Sequence, residues 1–231
     1  MKKKTLGVIG GMGPAATAVF FKKIVDLTPA GSDQEHIPAV ILNDVLIPDR
    51  TSYILDPSKP SPLPRMLEDV KKLEYCGADC IAIPCNTSHY FYDEISRAAS
   101  VPVISILDCA LEAVCSDGKK HKTAVLGTYG TLKSGVYNKA AEKYAAEIYT
   151  PDNEICDEVM RLIYEQVKTG KAADESRFVS VINAVINNGC DSVILGCTEL
   201  SVIYSAMNKK YDYVFDSTEL LAAACVKFCC C

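Results

Sequence analysis

No run of 18 apolar residues occurs anywhere in the chain, so an ordinary membrane-spanning helix is not expected. Basic residues are scattered rather than gathered into a stripe, and net charge is −5. The electrostatic footprint of a nucleic-acid binder is therefore missing. There is no Cys-x-x-Cys, and the three histidines are His36, His89 and His121, too few to build a structural zinc site. The turn Gly10-Gly-Met-Gly lacks the full G-x-G-x-x-G of a dinucleotide fold, and no Walker A sequence is present.

Cysteine, by contrast, is abundant, at twelve residues. In an exported chain these would suggest disulfides, and Met1-Lys2-Lys3-Lys4 followed by Leu6 to Phe21 imitates a signal peptide. Gly7, Gly10, Gly11, Gly13 and Pro14 interrupt that apolar stretch, so it is expected to belong to the folded protein. The cysteines are then expected to be reduced thiols in the cytoplasm, mostly small buried apolar residues. The terminal Cys229-Cys230-Cys231 reads as a frayed end without function. Apolar residues at 49% and charged residues at 23% suit a globular protein. Because the overall field repels anions, an acidic substrate would need cations placed locally in its pocket.

Short β-branched runs alternate with helical patterns, the signature of α/β architecture with parallel sheets. Strands are predicted at Leu6–Ile9, Ala39–Asn43, Cys80–Ile83, Val103–Ile106, Thr123–Leu126, Ser192–Leu195 and Tyr213–Phe215. Helices are predicted at Ala15–Leu27, Arg65–Cys76, Ser88–Ala99, Glu154–Lys168, Asp174–Asn188 and Ser217–Phe228. Phe178, Ile182, Val185 and Ile186 recur at helical spacing. The proline-rich stretch Ile47–Pro64 reads as a long loop, and loops of that length in a compact domain are usually functional.

The chain also repeats itself. Gly77-Ala-Asp-Cys-Ile-Ala-Ile-Pro-Cys-Asn-Thr87 parallels Gly189-Cys-Asp-Ser-Val-Ile-Leu-Gly-Cys-Thr-Glu199. In each copy an aspartate, Asp79 or Asp191, stands six residues before a cysteine, Cys85 or Cys197. Leu6 to Gly13 likewise parallels Thr123 to Gly130. Two pseudo-symmetric lobes are expected, about 1–108 and 109–216, with the final helix 217–228 completing the first. Each lobe is a parallel sheet flanked by helices, with the active site in the cleft between them.

Ligands of open α/β sheets bind beyond the carboxyl ends of the strands, where both repeat cysteines fall. Facing lobes would put Cys85 and Cys197 on opposite walls of one cleft. One thiolate could then remove an α-proton while the other thiol protonates the opposite face. Helices starting at Asn86-Thr87 and Thr198-Glu199 would favour the thiolates and offer N–H groups to a substrate carboxylate. Thr128, after the second glycine turn, is a further candidate carboxylate donor. His89, four residues after Cys85, could tune the thiol, although a structural histidine is the plainer reading.

Several pieces resemble the aspartate/glutamate racemase family, its aspartate racemase branch above all. They are Gly10-Gly-Met-Gly-Pro-Ala-Ala-Thr17, Ile47-Pro-Asp-Arg-Thr51, Pro84-Cys-Asn-Thr-Ser-His89 and Gly196-Cys-Thr-Glu-Leu200. The glutamate racemase branch differs at the first glycine turn, where it carries Asp-Ser-Gly. The resemblance implies racemisation of aspartate, or of glutamate, without pyridoxal phosphate or another cofactor, on a homodimer of two-lobed subunits. It implies Cys85 and Cys197 as the acid–base pair, with Arg50 and Lys168 binding the side-chain carboxylate. Met12, Asn86, Thr87, Thr128, Thr198 and Glu199 complete the expected substrate-binding set. Other readings are a related maleate isomerase or decarboxylase, a hydrolase pairing Cys85 with His89, and a non-catalytic amino-acid binder.

Overall fold

The computed structural model describes residues 3–231; Met1 and Lys2, the head of the signal-like stretch, lie outside the described residues. Eight strands form two sheets. The first holds β1 (Leu6–Gly10), β2 (Ala39–Asn43), β3 (Cys80–Ala82) and β4 (Val103–Ile104). The second holds β5 (His121–Leu126), β6 (Ala146–Tyr149), β7 (Ser192–Leu195) and β8 (Val214–Asp216). Strand order is β2-β1-β3-β4 in one and β6-β5-β7-β8 in the other, and every pairing is parallel. The second sheet thus repeats the first, strand for strand.

The helices are α1 (Pro14–Leu27), α2 (Arg50–Leu55), α3 (Leu63–Tyr75), α4 (Tyr92–Ala98), α5 (Ile106–Val114), α6 (Tyr129–Lys133), α7 (Val136–Ala141), α8 (Asn153–Arg161), α9 (Glu175–Asn187), α10 (Thr198–Ala206) and α11 (Ser217–Cys230). In α3, Met66, Val70 and Leu73 pack with Ile9 and Ile81. In α9, Phe178, Ile182 and Val185 do the same with Val193 and Leu195. A third core joins the lobes through Leu6, Val8, Tyr137, Ile194, Leu221 and Cys225. Each large apolar side chain so buried contributes about 1.5–3 kcal/mol.

The repeated aspartates have matching structural work. Asp79 accepts the Thr5 N–H at 2.7 Å and Asp191 accepts the Lys122 N–H at 3.2 Å. Each returns its own N–H to the carbonyl of the same residue, Thr5 or Lys122. The two clasps register β3 against β1 and β7 against β5. Gly77 and Gly189, just before them, have φ of +83° and +80°, a region costly for any residue with a Cβ.

Four expectations need correction. The stretch 47–64 is not loop throughout: α2 forms inside it, with Asp49 accepting the Ser52 N–H at 2.7 Å as N-cap. Prolines flank this helix, and none interrupts it. The strand β6 is additional to the seven predicted; its Ala-Glu-Ile-Tyr sequence follows a helix-forming run, and only an edge pairing with β5 makes it a strand. The helix predicted over Glu154–Lys168 stops being α-helical at Arg161, widens to a π-helical turn over Leu162–Gln166 and tightens to 3₁₀ over Val167–Thr169. The terminus is not frayed: α11 continues to Cys230, and Cys229 is buried with its sulfur 3.7 Å from that of Cys80. α11 packs on α1 and α5.

Candidate active site

The carboxyl ends of both sheets converge on one narrow cavity of about 10 Å³, room for roughly one water. It borders a wider one of about 250 Å³ through Met12, Asp49, Arg50, Lys168 and Glu199. The two cysteines and all eight residues expected to bind substrate line the narrow cavity, whereas His89 does not. Asp49, Thr51 and Tyr164 line it too, without having been singled out. Asp49 and Thr51 flank Arg50 inside a motif already noticed; Tyr164 had only its spacing of four residues from Lys168 as a signal.

Cys85 follows β3 through a tight turn in which its N–H donates to the Ile83 carbonyl at 2.7 Å. Cys197 follows β7 and is the N-cap of α10. Both are buried. α10 therefore begins where the sequence suggested. After Cys85 the chain instead makes 3₁₀ turns over Thr87–Phe91 before α4. The His89 backbone N–H bonds to Asn86 O at 3.0 Å in the 3₁₀ pattern. The His89 ring Nδ1–H donates to the Cys85 carbonyl, also at 3.0 Å.

The other ring nitrogen of His89, Nε2, accepts the Ile106 N–H at 3.1 Å, which sets the tautomer. Burial pushes the imidazole pKa down to about 4. Both nitrogens are committed to backbone, so His89 is no base for Cys85, and the hydrolase reading loses its second residue.

The two thiols meet opposite charges. The Cys197 thiol donates to Glu199 Oε2 at 2.9 Å. Burial, and then the Glu199 carboxylate, raise its pKa well above that of a free thiol, with Lys168 opposing. Cys85 lies beside Arg50, whose guanidinium attracts a negative sulfur there. Burial works against the charge on Arg50, yet Cys85 and Asp49 raise its pKa further. Arg50 donates from Nη2 to Met12 O at 2.9 Å and from Nη1 to Pro48 O at 3.2 Å. Its Nε is buried with no partner. An orphaned buried donor of this kind costs about 1–3 kcal/mol, which an incoming acceptor would recover.

Hydroxyl groups stitch the lobes together around the site. Thr51 donates to Thr128 at 3.1 Å, and Thr87 lies 2.7 Å from Thr131 and 3.2 Å from Thr128. α2 and α6 approach so closely here that a Cβ on Gly130 would fall 2.7 Å from Thr51 Oγ1. The Asn86 amide is held by Tyr137, whose hydroxyl donates to Oδ1 at 2.6 Å, and by Ser217, which accepts from Nδ2 at 3.1 Å. One Asn86 N–H remains for a ligand.

A family model described as Asp/Glu/hydantoin racemase matches residues 9–225. The chain belongs to this family. It is an isomerase of the amino-acid racemase type. It is similar to the structure of an aspartate racemase from Picrophilus torridus, at 33% identity and a TM-score of 0.80, over 97% of this chain and 93% of that one. An aspartate racemase homologue from Pyrococcus horikoshii OT3 is 27% identical, with a TM-score of 0.77 over the whole of both chains. The broad specificity amino-acid racemase RacX of Bacillus subtilis (strain 168) is 26% identical over 226 residues, 96% of each chain.

Proposed function

We propose that this racemase interconverts L- and D-aspartate without a cofactor, using Cys85 and Cys197 as a two-base pair. One observation carries the reading: two buried cysteines from equivalent strand ends of the two repeats border a single cavity that also holds two cations. Arg50 and Lys168 clamp the side-chain carboxylate of the substrate, Arg50 through its unpartnered Nε. Backbone N–H groups after each cysteine, with the Thr87, Thr128 and Thr198 hydroxyls and the free Asn86 N–H, hold the α-carboxylate. Charge from the α-carbanion flows onto that carboxylate, so these donors bind the transition state more tightly than the ground state.

For one enantiomer Cys85 removes the α-proton as a thiolate beside Arg50. Cys197, held as a thiol against Glu199, protonates the opposite face. The other enantiomer runs the same steps backwards, so each turnover exchanges the roles of the two sulfurs. The narrow cavity cannot hold an amino acid as it stands, so substrate arrives through the wider neighbouring cavity and the lobes part to admit it. The same reading takes 1–108 and 109–216 as the two lobes, the first completed by α11, in a cytoplasmic homodimer.

Incubation of L-aspartate and L-glutamate in deuterated water tests this, read by chiral chromatography and mass. Aspartate should appear as the D-isomer carrying one deuterium at Cα, with glutamate slower by the one-methylene discrimination of about 1–3 kcal/mol. Binding without exchange at Cα would sink the proposal. A trapped succinyl adduct would move it to alkene isomerisation.

A further inference from the structure

Lys168 keeps unusual company. Two carboxylates act on it electrostatically, Glu199 and Asp49. Yet among the described residues it forms no ion pair. Its ammonium instead sits over the Tyr164 ring, 4.0 Å from the ring centroid. Lys168 is an exposed residue, and it also forms part of the cavity wall beside Tyr164.

The backbone between them is built for this placement. Tyr164 lies inside the π-helical turn and Lys168 inside the 3₁₀ turn that follows. Gly170, with φ of +73°, ends the segment. Gln166 pins it from both sides: its Oε1 accepts the Asp174 N–H at 2.8 Å and its carbonyl accepts the Lys171 N–H at 3.0 Å. Leu162 and Ile163 bury the opposite side in the core. A single widened turn inside a helix is uncommon and is often found at functional sites.

A lysine closed into a salt bridge with Glu199 or Asp49 would offer a carboxylate ligand little, since its charge and N–H donors would already be spent. A lysine resting on an aromatic face keeps its full charge, and its N–H groups remain available, because the ring attracts the cation without accepting a conventional hydrogen bond. We propose that Tyr164 is a positioning residue for substrate affinity: its ring parks the Lys168 ammonium away from Glu199 and Asp49, ready for the side-chain carboxylate of an acidic substrate. This rests on the carboxylate clamp read above.

Steady-state kinetics on L-aspartate with Tyr164→Leu, Tyr164→Phe and Lys168→Ala, alone and with Tyr164→Leu added to Lys168→Ala, test it. Thermal melts accompany each variant. Tyr164→Leu should raise KM about 3- to 10-fold with kcat little changed, as loss of one cation–π contact predicts. Tyr164→Phe keeps the ring and should recover most of that affinity. Adding Tyr164→Leu to Lys168→Ala should raise KM no further. Wild-type KM in Tyr164→Leu beside a raised KM in Lys168→Ala would overturn the role of Tyr164 and leave the clamp standing. Wild-type KM in Lys168→Ala would overturn the clamp and this proposal together. Equal damage from Phe and Leu would assign the effect to the hydroxyl and overturn it as well.

Discussion

The two lobes share a backbone plan and differ in what stands next to each cysteine. Strand order, the aspartate clasp and the left-handed glycine before it are the same in both. Four residues beyond each cysteine the copies diverge, to His89 in one and Ser201 in the other. Both side chains still tie the segment after the cysteine to the start of the next helix. His89 accepts the Ile106 N–H at the head of α5, and Ser201 donates to Asp216, the N-cap of α11, at 2.5 Å. The electrostatic partners diverge most, with Arg50 beside Cys85 and Glu199 beside Cys197. Duplication supplies two thiols at matched places, and their charged neighbours differ. On the two-base reading proposed above, such unequal neighbours suit a pair in which one group acts as acid while the other acts as base.

The sharpest way to break that comparison is to remove one sulfur at a time. Cys85→Ser and Cys197→Ser should each reduce racemisation on the order of 10²–10⁴-fold in both directions, because a hydroxyl is too weakly acidic for either role. Residual exchange should be one-sided, with one variant washing solvent deuterium into L-aspartate only and the other into D-aspartate only. Near-wild-type racemisation by either variant would end the paired role.

The His89–Ser201 difference predicts a pH effect confined to the first lobe. An unfolded histidine titrates near 6.5 and folded His89 near 4, so between these values the unfolded chain binds the extra proton. Stability from this group is therefore complete above pH 6.5 and lost as pH falls towards 4, by about 3 kcal/mol. Urea unfolding at pH 7.5 and 4.5 should show a smaller difference between the two pH values in His89→Gln than in wild type. Equal differences in the two proteins would mean that His89 is not buried in its neutral form.

A smaller effect sharpens the electrostatic contrast. Burial and then Glu199 raise the Cys197 pKa, so Glu199→Gln removes the second cause and keeps the first. Ultraviolet difference titration, each protein against the same protein with Cys197→Ser added, should show Cys197 ionising at lower pH once Glu199 is replaced. No movement, or movement upward, would detach Glu199 from Cys197.

Most of the first lobe could be read along the chain, because buried parallel strands and their capping glycines leave dense local signals, whereas in the second lobe β6, α6, α7 and the break in the helix after Arg161 were not read. α2 was hidden among prolines although Asp49 announced it, since proline content describes a stretch on average and a helix needs only a short proline-free window. The 3₁₀ start after Cys85 was not legible, because 3₁₀ turns are common at the starts of α-helices and Asn86-Thr87 suits either. Tyr164 was invisible because its ring matters only where a π-helical turn brings it to the cavity.

The amino-acid sequence by itself determined the duplicated α/β plan, the two strand-end cysteines and the residues gathered around them. These depend on periodicity, on glycine at left-handed positions and on matched spacing within each repeat, all of which are local. Tertiary structure alone decided which charge faces which sulfur, which backbone groups take up the two His89 nitrogens and where Lys168 rests. Those outcomes turn on distances and burial between segments far apart in the chain, such as α2 against α6 and the helix carrying Tyr164 against Cys197. Electrostatic energy varies with separation and local dielectric, so no reading of either segment alone contains it.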